Sequence, residues 1–221
     1  MNKNPAPSAL NPDFWAPRPC LRKPVPEILE AADLLDKAVD AHLAGEHGRA
    51  GSLIAEANMP KVRDWVESLW GPASERIHRI RSVEGAPPVL AKGVRDPTEK
   101  PEAELRRAII NRDGYRCRFC GIPVIRAEVR KAMHRHYSDT LPWGRTNASQ
   151  HAAFQCLWLQ FDHVLPHSRG GRTDLDNLVI TCGPCNFGRG ERTFEEVGLI
   201  DPRTRSVEQT NWDGLERFIV P

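Results

Sequence analysis

The chain has 221 residues, 40% of them hydrophobic and 27% charged, with a formal net charge of +2. This composition suits a globular protein of one large or two small domains, and no apolar run approaches the ~20 residues that a membrane helix needs. The N-terminus, "MNKNPAPSALNPDFWAPRPC", lacks the continuous apolar core of a signal peptide, so no membrane attachment and a cytoplasmic location are expected.

Residues 1–26 contain seven prolines and read as an extended leader that packs locally through Phe14 and Trp15. From Glu27, "EILEAADLLDKAVDAHLAG" spaces Ile28, Ala31, Leu35, Val39 and Leu43 three and four apart, which predicts an amphipathic helix stopped near Gly45. A second helix, "EHGRAGSLIAEANMP", is predicted to end before Pro60. A third, "KVRDWVESLWG", carries Trp65 and Leu69 on one face. Residues 27–81 thus form a small all-α domain. Its first two helices resemble a single tetratricopeptide hairpin through Ala50, Ile54 and Ala57; a solenoid needs several copies, so ordinary helical packing is the simpler reading. As a surface, the domain could also dock a protein partner.

Residues 82–101, "SVEGAPPVLAKGVRDPTEKP", have the prolines, glycines and mixed charge of a linker. The chain then resumes with "PEAELRRAIINRDGYRC", a predicted helix that opens on Pro101 and acidic residues, closes at Asp113-Gly114 and delivers the chain to Cys117. Charge is unevenly spread: residues 27–71 carry nine acidic and four basic residues, while 105–135 carry nine basic and two acidic. The second block is a candidate polyanion-binding surface.

Cys117 and Cys120 form one Cys-x-x-Cys pair and Cys182 and Cys185 another, whereas Cys20 and Cys156 stand alone. The alternatives are redox pairs or unliganded thiols, but two such knuckles suit one tetrahedral Zn2+, closed to water and therefore structural. With 61 residues between the knuckles, the site joins distant parts of residues 102–221.

The basic helix leading to the first knuckle, then "FDHVLPHSRGG" and "DNLVITCGPCN", together resemble the zinc-knuckle branch of the HNH endonucleases. The resemblance runs in order across residues 105–192, with thirteen residues between His163 and Asn177 and eight between Asn177 and Asn186. It departs from the commonest pattern in having asparagine at position 186 and a long insertion at about 126–157.

The resemblance implies an α+β chain whose C-terminal part is a ββα-metal nuclease unit: "LQFDHV" and "NLVIT" as strands and "PCNFGRGERT" opening a short helix. It implies that His163 is the general base, and that Asp162 and Asn186 hold a catalytic divalent ion, most simply Mg2+. Asn177 is expected to orient the catalytic loop and His163. Gly170 and Gly171 are expected to let the backbone turn close to a phosphate. Arg169 and Arg189, with Arg116 and Arg118 of the first knuckle, are the expected phosphate contacts. Within the insertion, His134, His136 and His151 lack strong ligand spacing, so nucleic-acid contact or a lid is favoured over a second metal site. The implied activity is metal-dependent hydrolysis of nucleic-acid phosphodiester bonds, with DNA the expected substrate. The alternatives are a noncatalytic zinc-stabilised nucleic-acid-binding module and an adaptor acting through the helical domain.

Overall fold

A computed structural model describes residues 16–71, 80–208 and 210–220. Phe14 and Trp15, read from sequence as a packing point of the leader, lie outside the described residues. The described part of the leader is tied down: Arg18 bridges Leu199, with Arg18 N donating to Gly198 O at 3.0 Å, and Trp65 Nε1 donates to Lys23 O at 2.9 Å.

Helix α1 spans Glu27–Leu43, α2 His47–Glu56 and α3 Pro60–Trp70. The three-and-four spacing works as expected at Ile28, Ala31, Leu35 and Val39, all buried. It fails at Leu43, which is 48% exposed because the helix ends there, one residue before the cap that leads to Gly45 at φ +79°. Ala50, Ile54 and Ala57 are buried, and α2 packs along α1. Proline at the first position of α3 costs no hydrogen bond, since that N–H has no partner within a helix. The helix turns Val62, Trp65, Val66 and Leu69 inward, and side chains of this size each stabilise by about 1.5–3 kcal/mol when fully buried.

That apolar face packs onto α6, Ala152–Cys156, and α7, Gly183–Arg189. The insertion supplies α5, Ala127–His136, as well as α6, and buries Val129, Met133, Leu141, Phe154 and Leu157 in the same core. This corrects the expectation of a lid: the helices of the insertion supply interior packing between the N-terminal helices and the sheet.

Helix α4, Ala103–Asp113, ends at Gly114 with φ +68°. Its last residue, Asp113, is buried and pairs with Arg112 at 2.8 Å while accepting from Ile180 N at 3.0 Å, which pins the helix to the sheet. Strands β1, Leu159–His163, and β2, Leu178–Cys182, pair antiparallel, with Leu159 opposite Cys182 and His163 opposite Leu178. Chain direction reverses again at Gly183, where α7 begins, to complete the ββα unit; a short α8, Phe194–Val197, follows.

The segment 82–101 lies along the β1–β2 loop. Leu90 N donates to Ser168 O at 2.7 Å, His167 Nε2 bonds Asp96 O at 2.8 Å, and Arg169 Nη1 donates to Pro87 O at 2.5 Å. No described helix is long and apolar enough to cross a membrane.

Candidate active site

The four knuckle cysteines come together as the spacing predicts. Their sulfur atoms all lie within 4.8 Å of one another, and no other such cluster of potential metal ligands occurs among the described residues. Cys120 Sγ and Cys182 Sγ are 3.7 Å apart, close to the ~3.8 Å edge of a tetrahedron with metal–sulfur bonds of about 2.3 Å and far beyond the ~2.05 Å of a disulfide. The first knuckle docks on the sheet through Arg118 N, which donates to Ile180 O at 2.8 Å. The second straddles the junction of β2 and α7. Burial pushes the Cys117 thiol up, but hydrogen bonds from the other three sulfur atoms outweigh it and hold Cys117 well below the usual thiol range. Four buried or half-buried sulfur atoms converging on one centre fit Zn2+. Cys20 lies nearby, its thiol pushed up to about 11 by burial and by Cys120 and Cys117.

Asp162, His163 and Asn186 line one cavity of about 460 Å³, whose other walls include Glu99, Lys100, Arg106, Phe161 and Phe187. Adjacent strand residues normally face opposite ways; His163 is the last residue of β1, where the strand gives way to the loop.

Asp162 is 5% exposed. Its Oδ1 accepts from Arg189 Nη2 at 2.6 Å, while Oδ2 is buried with no partner. Burial raises the carboxyl above its ordinary range despite the opposing pull of Arg189. An orphaned carboxylate oxygen, on a residue that lines the same cavity as Asn186, fits a hard divalent cation. The ligand set is lean, with one carboxylate oxygen already committed to an arginine.

His163 is 9% exposed. Its Nε2 lies 2.9 Å from Thr173 Oγ1, and that hydroxyl donates to Thr98 O. With its only proton committed to a carbonyl, Thr173 must accept from His163, so Nε2 carries the hydrogen and Nδ1 keeps its lone pair. Burial, with repulsion from His167 and Arg189, pushes the imidazole down to about 4. The ring is therefore neutral at neutral pH, in the form that can take a proton.

Asn177 does not touch the His163 ring. Its Oδ1 accepts from Leu165 N at 2.8 Å and its Nδ2 donates to Leu165 O and Arg172 O, so it clasps the loop as expected, while the direct contact to His163 is made by Thr173. Only the three-dimensional path of residues 98 and 173 exposes this role; a threonine in a polar loop carries no distinctive signal. Gly170 has φ +89°, and a Cβ on Gly171 would stand 1.8 Å from Leu165 O. The Gly-Gly pair is required to close the loop on itself, whatever its distance from a phosphate.

The four arginines predicted to meet phosphates are engaged in holding the fold. Arg189, 2% exposed, donates to Val164 O, Arg192 O and His163 O as well as Asp162. Arg169 spans Glu191 O, Pro87 O and Glu196. Arg118 serves Ser206 O, Pro202 O and Arg205 O, and Arg116 donates to Gly121 O at 2.6 Å. Guanidiniums with five donors are the side chains best able to satisfy clustered loop carbonyls, which is how these positions use them. The histidines of the insertion do not converge either: His134 bonds Leu141 O, His136 packs against His42 and Phe218, and His151 is interior.

Comparison with curated proteins found no match, and comparison with solved structures found none. Residues 154–198 match the family model described as HNH endonuclease. They contain β1, the clasped loop, β2 and α7, with Asp162, His163, Asn177 and Asn186 among them. On this match residues 154–198 are similar to the HNH endonuclease family.

Proposed function

We propose that the protein is a metal-dependent endonuclease that hydrolyses phosphodiester bonds in nucleic acid. The observation that carries this reading is the shared cavity in which a neutral, anchored His163 stands beside Asp162 with its unpaired oxygen and Asn186.

His163 is held through Nε2 by Thr173, so Nδ1 is the atom that accepts the proton of the attacking water. The Thr98–Thr173 relay resists rotation of the ring and stabilises the positive charge it gains on protonation. Asp162 and Asn186 would hold the divalent ion, Mg2+ the simplest choice, which supplies stabilisation of charge on the phosphate and on the departing oxygen. Arg189 holds the Asp162 carboxylate from behind and ties it to the backbone of Val164 and Arg192. Cys117, Cys120, Cys182 and Cys185 would hold Zn2+, which would lock the two knuckles together and fix the start of α7, on which Asn186 lies.

Purified protein incubated with supercoiled plasmid, with and without added magnesium, tests the reading. Cleavage should need the ion and fall by about 10²–10⁴-fold in a His163→Ala variant. Equal fragments from wild type and variant reject it. One observation favours the second reading, a noncatalytic zinc-stabilised binding module: Arg189 already neutralises much of the Asp162 charge. Under that reading the protein shifts nucleic acid in a gel and leaves it uncut.

A further inference from the structure

The cavity at Asp162 and His163 continues into a second, of about 690 Å³, with Lys100, Arg106, Leu159, Gln160 and Phe161 lining both. Together they make a trough between α4 and the start of β1. Three cations stand along it: the side chains of Lys100, Arg106 and Arg107 are exposed and make no hydrogen bond or ion pair among the described residues. This sets them apart from Arg116, Arg118, Arg169 and Arg189, whose guanidiniums are bonded to groups of the fold. Arg126 also lines the trough but is neutralised by Glu216 at 2.5 Å. Glu99 and Glu128 lie on the walls as well.

Aromatic faces accompany the charge. Phe161 is half-buried and lines both cavities; Phe187 lines the first and Trp158 the second. Their rings, 5.8 Å apart, are braced from outside the trough: Trp70 stacks on Phe187 at 4.4 Å, and Trp143 meets Trp158 edge-on at 6.4 Å. Half-exposed rings held rigidly beside unpaired cations are the two components of single-strand binding, phosphate attraction and base stacking. A duplex keeps its base faces inside its own stack and has none to offer these rings. The recessed site agrees: a phosphodiester must descend to Asp162 and His163, at 5% and 9% exposure, which a flexible strand does more readily than a paired one.

Resting on the nuclease reading above, we propose that the substrate enters the site as a single-stranded segment, with phosphates along Lys100, Arg106 and Arg107 and bases against Phe161 and Trp158. Occupancy of the trough does not itself require cleavage, so binding and cutting can be measured apart.

The test uses full-length His163→Ala protein, so that nothing is cut, and fluorescein-labelled oligonucleotides of one sequence as single-stranded DNA, single-stranded RNA and duplex DNA, all at one salt concentration. Single strands should bind at least about 10-fold more tightly than the duplex. Added Phe161→Ala should weaken single-strand binding by about 5- to 150-fold, the range measured for lost base stacking, and leave duplex binding unchanged. Arg106→Ala, at an exposed position that cannot unfold the chain, should weaken it too. Equal or tighter binding of duplex, or indifference to both substitutions, overturns the proposal. The DNA and RNA arms show which strand is preferred. Selective single-strand binding by a wild type that cuts nothing rejects the nuclease reading and leaves this one standing; magnesium-dependent cutting of duplex and single strand alike does the reverse.

Discussion

His163 Nε2 and Thr173 Oγ1 are 2.9 Å apart, and the hydroxyl in turn donates a hydrogen bond to Thr98 O. This relay fixes which ring nitrogen is basic. Thr173→Val keeps the shape and removes the acceptor, and should lower kcat roughly 10- to 100-fold, the cost of a misoriented catalytic group, with KM little changed. Thr173→Ser should stay near wild type. A valine variant with wild-type kcat would remove the relay from the mechanism.

Arg189 is the hub of the buried site, and its loss leaves Asp162 charged, interior and unpaired. Arg189→Ala should destabilise the protein by about 3–5 kcal/mol, read as a shift in the urea midpoint. Arg106→Ala, with nothing to unpair, should leave that midpoint in place.

Gly171 cannot carry a side chain without meeting Leu165 O and Asn177 Nδ2. Gly171→Ala should therefore lower the melting temperature and reduce cleavage together, because the clasped loop positions Thr173 as well. Wild-type melting of this variant would show that the loop can close by another path.

The tetrathiolate site should contain one zinc per chain by elemental analysis. Free energy on the order of 10 kcal/mol is available from such a site, so Cys185→Ser, or removal of zinc by a thiol-competing chelator, should abolish cooperative unfolding. A zinc-free protein with an unchanged transition would disprove a structural role.

His151 is interior, with Nε2 2.8 Å from Ile54 O and Nδ1 without a partner. Burial is the main cause that pushes it down to about 4 from an ordinary 6.5. Between these values the unfolded chain binds a proton that the folded chain refuses, so stability falls as pH drops from about 6.5 towards 4. The full loss is about 3 kcal/mol. His151→Gln, which keeps a donor for Ile54 but cannot titrate, should remove its share of that slope in denaturant melts taken across the window and leave the share due to His163.

The local elements were legible because their causes are local. Periodicity marked α1 and α3, Gly114 and the acidic opening marked α4, and paired Cys-x-x-Cys motifs marked the staple through 61 intervening residues. The juxtaposition of Asp162, His163 and Asn186 in one cavity followed from spacing that matched a known pattern. Less legible was the direction in which each arginine points. Arg169 and Arg189 look like phosphate contacts in sequence, yet both turn inward to carbonyls supplied by residues as remote as Pro87. Thr98 and Thr173 were invisible for the same reason: their meeting depends on the path of a segment whose composition announces only a lack of regular structure.

That segment bears on where a fragment that keeps the site intact would begin. Residues 87–98 accept hydrogen bonds from Arg169, His167 and Thr173, so a fragment started at the α4 boundary would discard the far end of the His163 relay while retaining every residue of the recognisable motif. Such a fragment would resemble a nuclease in sequence and behave as a zinc-bound shell with a loose base. A fragment that keeps this relay has to start before Pro87, in a stretch that motif boundaries leave out.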